Sequence, residues 1–272
     1  MRAARIFVFI NHMIKLLRSK WQMGARVIPI LFAIAAIKAL VNFYDLEFLN
    51  LNTIFTALIS ANIFLIGFNI SGVLTDFKAG EKLPGELAAN IEAISDECVY
   101  VYKRSNSEAA REGFDYCLNF TQTVLDWLYH KTKTRDVLQK INSFTNIFLA
   151  LEDKSQTSFM SRLKHEQSEI RRAVMRVHEI REVRFSEAAY AVAEIMSGAM
   201  IFGMIFLRID PFYESLFFTV FVAFVFIYML LLIRDLDDPF AYYDKKHSVE
   251  EISLHSLEDL KDRLEERQKK LI

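Results

Sequence analysis

The chain has 272 residues, of which 53% are hydrophobic and 13% aromatic, with only four prolines and eight glycines. This apolar content is high for a soluble chain of such length, so the composition disfavours a soluble protein. The formal net charge of -1 carries little information, because the charges are segregated by region.

The first 26 residues contain six basic side chains and no acidic one. A helix over residues 4–21 would have an apolar side and a side carrying Arg5, Lys15 and Arg18. Such a helix suits the inner leaflet of a membrane, where its bases face anionic headgroups. A helix packed on a cytosolic domain fits the same pattern equally well.

Four apolar stretches follow in chain order, at residues 27–43, 51–74, 188–207 and 212–233. Each is close to the ~20 residues that a hydrocarbon core of ~30 Å requires of a helix. The sequence therefore predicts an all-α membrane protein with four transmembrane helices. Glycines in the second and third stretches are expected where membrane helices pack closely: Gly67, Gly72, Gly198 and Gly203.

The distribution of charge predicts the orientation. The loop after the first stretch carries Asp45 and Glu47 and no base, in contrast to the basic N-terminus. Basic segments remain in the cytosol, so the N-terminus is expected there, and four spans return the C-terminus to the same side. Arg234, Lys245 and Lys246 after the last span agree.

The predicted domain organisation follows from these spans. Residues 1–26 form the basic N-terminal helix, 27–75 the first two spans, 76–187 a helical cytosolic domain, 188–233 the last two spans, and 234–272 a cytosolic acidic turn and C-terminal helix. In the insert, Pro84 is expected in the first turn of a helix. Further helices are predicted at 107–131 and 135–151, and one long helix from residue 158 into the third span.

No arrangement of residues in the sequence indicates catalysis. The six histidines lack metal-ligand spacing, and no phosphate-binding glycine loop or nucleophile motif is present. Cys98 and Cys117 fall in the predicted cytosolic domain, where two small buried residues are expected and not a disulfide. Arginines between residues 171 and 184 alternate with glutamates, which is typical of a solvated face, so nucleic-acid binding is not expected.

The second span contains amides in the middle of an uncharged stretch, where an unpaired amide is costly. In a helix, the residues that share a face with these amides form one stripe: Asn62, Ile66, Asn69, Val73 and Asp76. A polar stripe on a span points either to other helices or to a water path. Packing between helices is the commoner role of such residues.

Two short strings carry a resemblance to a known family. They are Gly67-Phe-Asn-Ile-Ser-Gly72, followed by Asp76-Phe77, and Arg234-Asp-Leu-Asp-Asp-Pro-Phe240 after the fourth span. With two spans, a helical insert and two further spans, the chain resembles the bestrophin-like membrane families over about residues 25 to 245. It is most similar to the bacterial bestrophin-like domain of unknown function.

This resemblance implies a homo-oligomeric ion channel in the inner membrane of a bacterium, with a pentamer favoured, and not an enzyme. The second span would line the pore, which would conduct chloride or other small anions. Asn62 and Asn69 would offer amide donors to a passing anion. The apolar neck would be formed by Phe64 and Phe68, or by Ile66 and Val73.

The acidic string resembles in position the clasp in which bestrophins can hold calcium. The carboxylates concerned are those of Asp235, Asp237, Asp238 and Asp244. Hard oxygen ligands of this kind suit calcium. The alternative is an acidic helix end that turns at Pro239 and docks through Phe240.

A second class of function is compatible with the same sequence. The protein would then be a membrane-anchored interaction or signalling protein without a pore. Its buried amides would only join the spans, and its helical cytosolic insert would bind a partner.

Overall fold

The computed structural model describes residues 2–152, 157–182, 187–240, 242 and 251–271, and their side chains at 23–152, 159–182, 188–240, 242 and 251–270. The regular secondary structure of the described chain consists of eight helices and one short sheet. The helices are α1 (Arg2–Phe43), α2 (Thr53–Ser105), α3 (Glu108–Leu128), α4 (Thr134–Glu152), α5 (Thr157–Glu182), α6 (Glu187–Ile205), α7 (Phe212–Leu236) and α8 (His255–Leu271). Strands β1 (Leu49–Asn50) and β2 (Leu207–Arg208) pair in parallel, with Leu49 opposite Leu207.

Among the described residues, four helices are long and apolar enough to cross a membrane, at the four stretches that the sequence predicts. They are Met23–Phe43 within α1, the apolar part of α2, Ala188–Ile205 in α6, and α7. The protein is therefore an integral membrane protein. The short sheet was not predicted, because a strand of two residues leaves no periodic pattern in a sequence.

The chain divides into two compact units. The first unit, Met1–Thr75 with Arg184–Asp237, contains the four candidate spans. In it, α1 packs against α7 and α6, and α6 against α7. Ile34, Val41, Ile205 and Ala223 form a small buried cluster among these helices.

Of the glycines predicted to lie between closely packed helices, Gly67, Gly198 and Gly203 can be tested, and Gly203 alone has a close neighbour among the described residues. A Cβ atom built on Gly203 would lie 2.9 Å from Cε2 of Phe55, so any larger residue here requires this ring to move. Gly67 and Gly198 have nothing within 4 Å of such an atom. The prediction of close packing is therefore confirmed at Gly203, and at Gly67 and Gly198 it stays a prediction for contacts with a second chain.

The second unit, Asp76–Val183 with Asp238–Ile272, has a large apolar core. Helix α3 packs against α4 and α8, and α4 packs against α5. Phe120 and Phe144 meet edge to face with ring centroids 5.2 Å apart, a favourable aromatic geometry. Cys98 and Cys117 are both buried free thiols in this core, as predicted.

Two predicted helix boundaries are absent from the structure. Helix α1 continues from Arg2 to Phe43, so the predicted N-terminal helix and the first span form one element. Helix α2 continues through Pro84, which was expected to begin a new helix. An internal proline removes one backbone hydrogen bond at a cost of ~3 kcal/mol. The burial of Leu83 and Leu87 beside it offsets that cost.

The long helix predicted from residue 158 into the third span falls on α5 and α6. Their junction at residues 183–186 lies outside the described residues, so its continuity stays a prediction. Both flanking segments are helical, as expected.

Candidate pore-lining helix

Asn62 and Asn69 of α2 are fully buried within the first unit. Nδ2 of Asn62 donates a hydrogen bond to Oγ of Ser197 at 3.0 Å, and Nδ2 of Asn69 donates to the carbonyl of Ala189 at 3.2 Å. Both acceptors lie on α6. The two amides therefore tie α2 to α6.

The apolar members of the same stripe, Ile66 and Val73, are also buried. A side chain without exposed surface cannot contact an ion that passes along the helix. Burial of all four residues in a single chain thus favours the helix-packing role that the sequence left open as the alternative to pore lining. The same burial argues against Ile66 and Val73 as the neck.

Asp76, the last residue of the predicted stripe, differs from the other four because it is exposed. Its Oδ1 lies 3.4 Å from NH2 of Arg176, which also pairs with Glu179 at 2.8 Å. Asp76, Arg176 and Glu179 all belong to the second unit. An exposed ion pair of this kind contributes little to stability.

The other side of α2 in the first unit is exposed. Phe64 and Phe68 are 77% and 63% exposed and lie one helical turn apart. Small and hydroxyl residues share this side with them. We call the following residues the open face of α2: Ala57, Ser60, Ala61, Phe64, Phe68, Ser71 and Thr75.

Two of the three hydroxyl groups on this side donate to the backbone of the helix itself. Ser60 donates to the carbonyl of Thr56 at 3.0 Å, and Thr75 donates to that of Ser71 at 2.8 Å. Their oxygens keep free lone pairs, so the open face can contact water without leaving a donor unpaired. These hydroxyl residues were not predicted from the sequence, although Ser60, Ser71 and Thr75 lie four, three and seven residues from the nearer of the two phenylalanines on this side, which places them on one helical face.

The acidic string after α7 is described only in part. Asp235 lies in the last turn of α7, Asp237 follows as its C-cap, and Asp238 comes next. Asp244 lies outside the described residues. Among the residues that the structure does describe, no three His, Cys, Asp or Glu side chains are grouped as metal ligands would be. The calcium site therefore stays a prediction.

Phe240 of the same string is fully buried in the core of the second unit, as the docking alternative predicts. The guanidinium of Arg181 lies 5.7 Å from its ring and 5.0 Å from the ring of Trp127. NH2 of Arg181 also donates to the carbonyl of Leu128 at the end of α3, at 2.7 Å. The C-terminus of α3 thus fixes the guanidinium of Arg181, and the cation–π contact of Arg181 stabilises the buried ring of Phe240.

His130 lies beside this anchor. Its Nε2 is 3.3 Å from the carbonyl oxygen of Phe240, and its backbone has a left-handed φ of 59°. Partial burial lowers the pKa of His130, and the nearby charge of Arg181 lowers this pKa further. The hydrogen bond to Phe240 and the charge of Asp238 oppose the shift.

Solved structures share the arrangement of helices described above, although no family model matches the sequence and no curated protein is similar to it. A bacterial bestrophin homologue from Klebsiella pneumoniae aligns with a TM-score of 0.77 and 14% identity, over 89% of this chain and 98% of that one. A variant of the bestrophin homologue from K. pneumoniae aligns with a TM-score of 0.76 and 15% identity, over 90% and 99%.

A third structure, described only as a membrane protein, aligns with a TM-score of 0.75 and 14% identity, over 89% of this chain and 98% of that one. This chain is thus a helical integral membrane protein. Its fold is the bestrophin fold, as the resemblance of the sequence predicted.

Proposed function

We propose that the protein is a homo-oligomeric ion channel, and not an enzyme, whose pore is lined by the open face of α2. In a ring of identical subunits, each subunit would turn this face toward the axis. Phe64 and Phe68 would form the apolar neck, and Ser60, Ser71 and Thr75 would contact water on either side of it. Hydrophobic constrictions of this kind gate by dewetting.

One observation carries the proposal. In a chain with the bestrophin fold, α2 buries its amides against α6 and leaves two phenylalanines and three hydroxyl residues exposed. Hydroxyl groups gain little from facing lipid, where water is absent. A water-filled path gives that side of the helix a suitable environment.

Chloride or another small anion is the proposed ion. The sequence from Thr53 to Thr75 has no charged residue, so no fixed negative charge on this stretch would repel an anion. The edges of the Phe64 and Phe68 rings carry partial positive charge and could face the ion. A pentamer in a bacterial inner membrane, with both termini in the cytosol, completes the proposal.

The proposal is tested by anion efflux from liposomes that contain the purified protein. Phe68→Ala removes the larger part of the neck side chain, and we expect it to raise chloride efflux several-fold because the constriction widens. Phe202→Ala is the matched control, since Phe202 is 64% exposed but lies on α6. Efflux through that variant should equal the wild type.

Absence of efflux from both the wild type and Phe68→Ala would contradict the channel. Equal changes in the two alanine variants would contradict the assignment of the neck to α2. A monomer in native nanodiscs would remove the axis on which the pore depends.

The second candidate is a membrane-anchored interaction protein. Large hydrophobic side chains exposed on the second unit are the ones that a partner would cover. They are Tyr100, Tyr129, Leu149 and Met175. Crosslinking from residues 84–185 should then recover a partner, whereas efflux through the purified protein alone would count against this candidate.

A further inference from the structure

Lys38 is a charged residue inside a candidate span, and its side chain is fully buried. Its Nζ lies 2.6 Å from Oε1 of Glu47, which is itself almost fully buried. The same Nζ donates to the carbonyl oxygens of Ile205 at 3.2 Å and Leu207 at 2.5 Å. All three hydrogens of the ammonium group thus have acceptors.

These contacts join three parts of the chain. Lys38 belongs to α1, Glu47 to the loop between α1 and α2, and the two carbonyls to the last residue of α6 and the first residue of β2. The second oxygen of Glu47 accepts a hydrogen bond from Nδ2 of Asn42 at 3.3 Å. The carboxylate is therefore held from two sides.

The short sheet lies beside this ion pair. The N–H of Leu49 donates to the carbonyl of Phe206 at 3.1 Å, and Oγ of Ser215 donates to the carbonyl of Leu207 at 3.3 Å. Two strands of two residues are too short to hold together alone. The ion pair supplies the missing connection between the two loops.

Burial makes this arrangement costly unless it is complete. Removing two charges from water costs several kcal/mol per ion. Replacing a buried ion pair by two apolar residues therefore often leaves a fold equally stable or more stable. A retained buried pair is best attested where it fixes the register of neighbouring elements. Here the register in question is that of β1 on β2, with Asn50 opposite Arg208.

The held loop leads directly into the candidate pore helix. Helix α2 begins at Thr53, and Oδ1 of Asn52 accepts the N–H of Phe55 at 2.8 Å as an N-terminal cap. Only Leu51 and Asn52 separate β1 from α2. Fixing β1 therefore fixes where the first turn of α2 starts.

We propose that Lys38, Glu47 and Asn42 form a clasp that holds the α1–α2 loop to the α6–α7 segment and thereby positions the first turn of α2. The positioning role rests on the proposed channel function, whereas the clasp does not. Lys38 and Glu47 act through the helix that follows them and have no contact with the conducted ion.

The clasp is tested by disulfide trapping between the two strands. Asn50→Cys and Arg208→Cys place two thiols at paired, exposed positions, while the native Cys98 and Cys117 are buried. A mild oxidant should link the new pair rapidly in the full-length protein in liposomes. We expect Lys38→Met to slow this linkage at least about tenfold, because it removes the tether and leaves Glu47 buried without its partner.

Lys38→Met alone could fail to fold, so the neutral double variant Lys38→Met/Glu47→Met is measured as well. It has no uncompensated buried charge, yet it lacks the tether, and its linkage should stay slow. Lys103→Met, at an exposed position of α2 in the second unit, is the control and should leave the rate unchanged. Linkage at the wild-type rate in the double variant would overturn the clasp.

Ion efflux tests the positioning role separately. The double variant should show altered efflux, and the disulfide between positions 50 and 208 should restore it. A double variant with slow linkage but wild-type efflux would overturn the positioning role. If the wild type itself shows no efflux, the proposed channel fails, while the trapping rates still decide whether the clasp exists.

Discussion

At the scale of single residues, Asn62 and Asn69 stabilise the contact between two spans. Each donates one hydrogen bond to α6, and each keeps a buried amide oxygen for which the described residues provide no hydrogen-bond partner. An unpaired buried oxygen offsets part of the gain from the donated bond. Such contacts between membrane helices contribute about 0.6 kcal/mol on average.

Replacing Asn62 tests this packing role. In Asn62→Leu, the bond to Ser197 is lost, and we expect the free energy of unfolding to fall by about 1 kcal/mol. Thermal unfolding in detergent measures the change, with Ser60→Ala on the open face as the control. Ion selectivity should be unaltered, so a changed anion-to-cation permeability ratio in Asn62→Leu would support the pore-lining role instead.

His130 makes the anchor of Phe240 dependent on pH. Because the folded protein holds its pKa below the ordinary value of about 6.5, the unfolded chain takes up this proton first as the pH falls. The stability that neutral His130 provides is thus present above about pH 6.5 and lost below it.

The matching variant is His130→Asn, since asparagine tolerates the left-handed backbone conformation. We expect the melting temperature of the wild type to fall more steeply between pH 7.5 and 5.5 than that of His130→Asn. Parallel declines in the two proteins would show that His130 does not contribute to the pH dependence.

At the scale of elements, the contact of α2 with α6 depends on the absence of a side chain at Gly203. Gly203→Ala would push a methyl group into the ring of Phe55, so we expect this variant to unfold at a lower temperature than the wild type. Gly198→Ala is the control on the same helix and has open space around it. Alanine is the better helix former by about 1 kcal/mol, so Gly198→Ala should be neutral or stabilising. A destabilised Gly198→Ala with an unaffected Gly203→Ala would contradict the assignment of the close contact to Gly203.

The sequence was sufficient to predict the spans, because a run of about twenty apolar residues matches the length of a helix that crosses the hydrocarbon core. It also showed that the polar residues of the second span share a stripe, because helical spacing determines which residues share a face. Rotation of that helix was not predictable, since Asn62 satisfies its donor equally well on Ser197 or on water. The acceptors on α6 determine which side of α2 is buried and therefore which side is the open face.

Lys38 shows a different limit of prediction. A lysine in a span needs a partner, but its partners lie nine residues away on Glu47 and more than 160 residues away on the backbone of Ile205 and Leu207. Backbone carbonyls carry no signature in a sequence. Pro84 likewise lies inside a helix because the surrounding core outweighs its local preference.

At the scale of the whole molecule, the proposed channel requires a ring of subunits that turn the open face of α2 toward one axis. The number of subunits in native nanodiscs should be five. A ring would place five copies of Phe68 around one axis, which no arrangement within a single chain can do.

The accessibility of α2 to a water-soluble thiol reagent tests the central claim most directly. Ser71→Cys places a thiol on the open face, whereas Val73→Cys places one on the buried side of the same turn. In liposomes that contain either protein, we expect the reagent to block anion efflux through Ser71→Cys and to leave Val73→Cys and the wild type unaffected. Block of Val73→Cys with no effect on Ser71→Cys would place the pore on the amide side of the helix and exclude the open face as its lining.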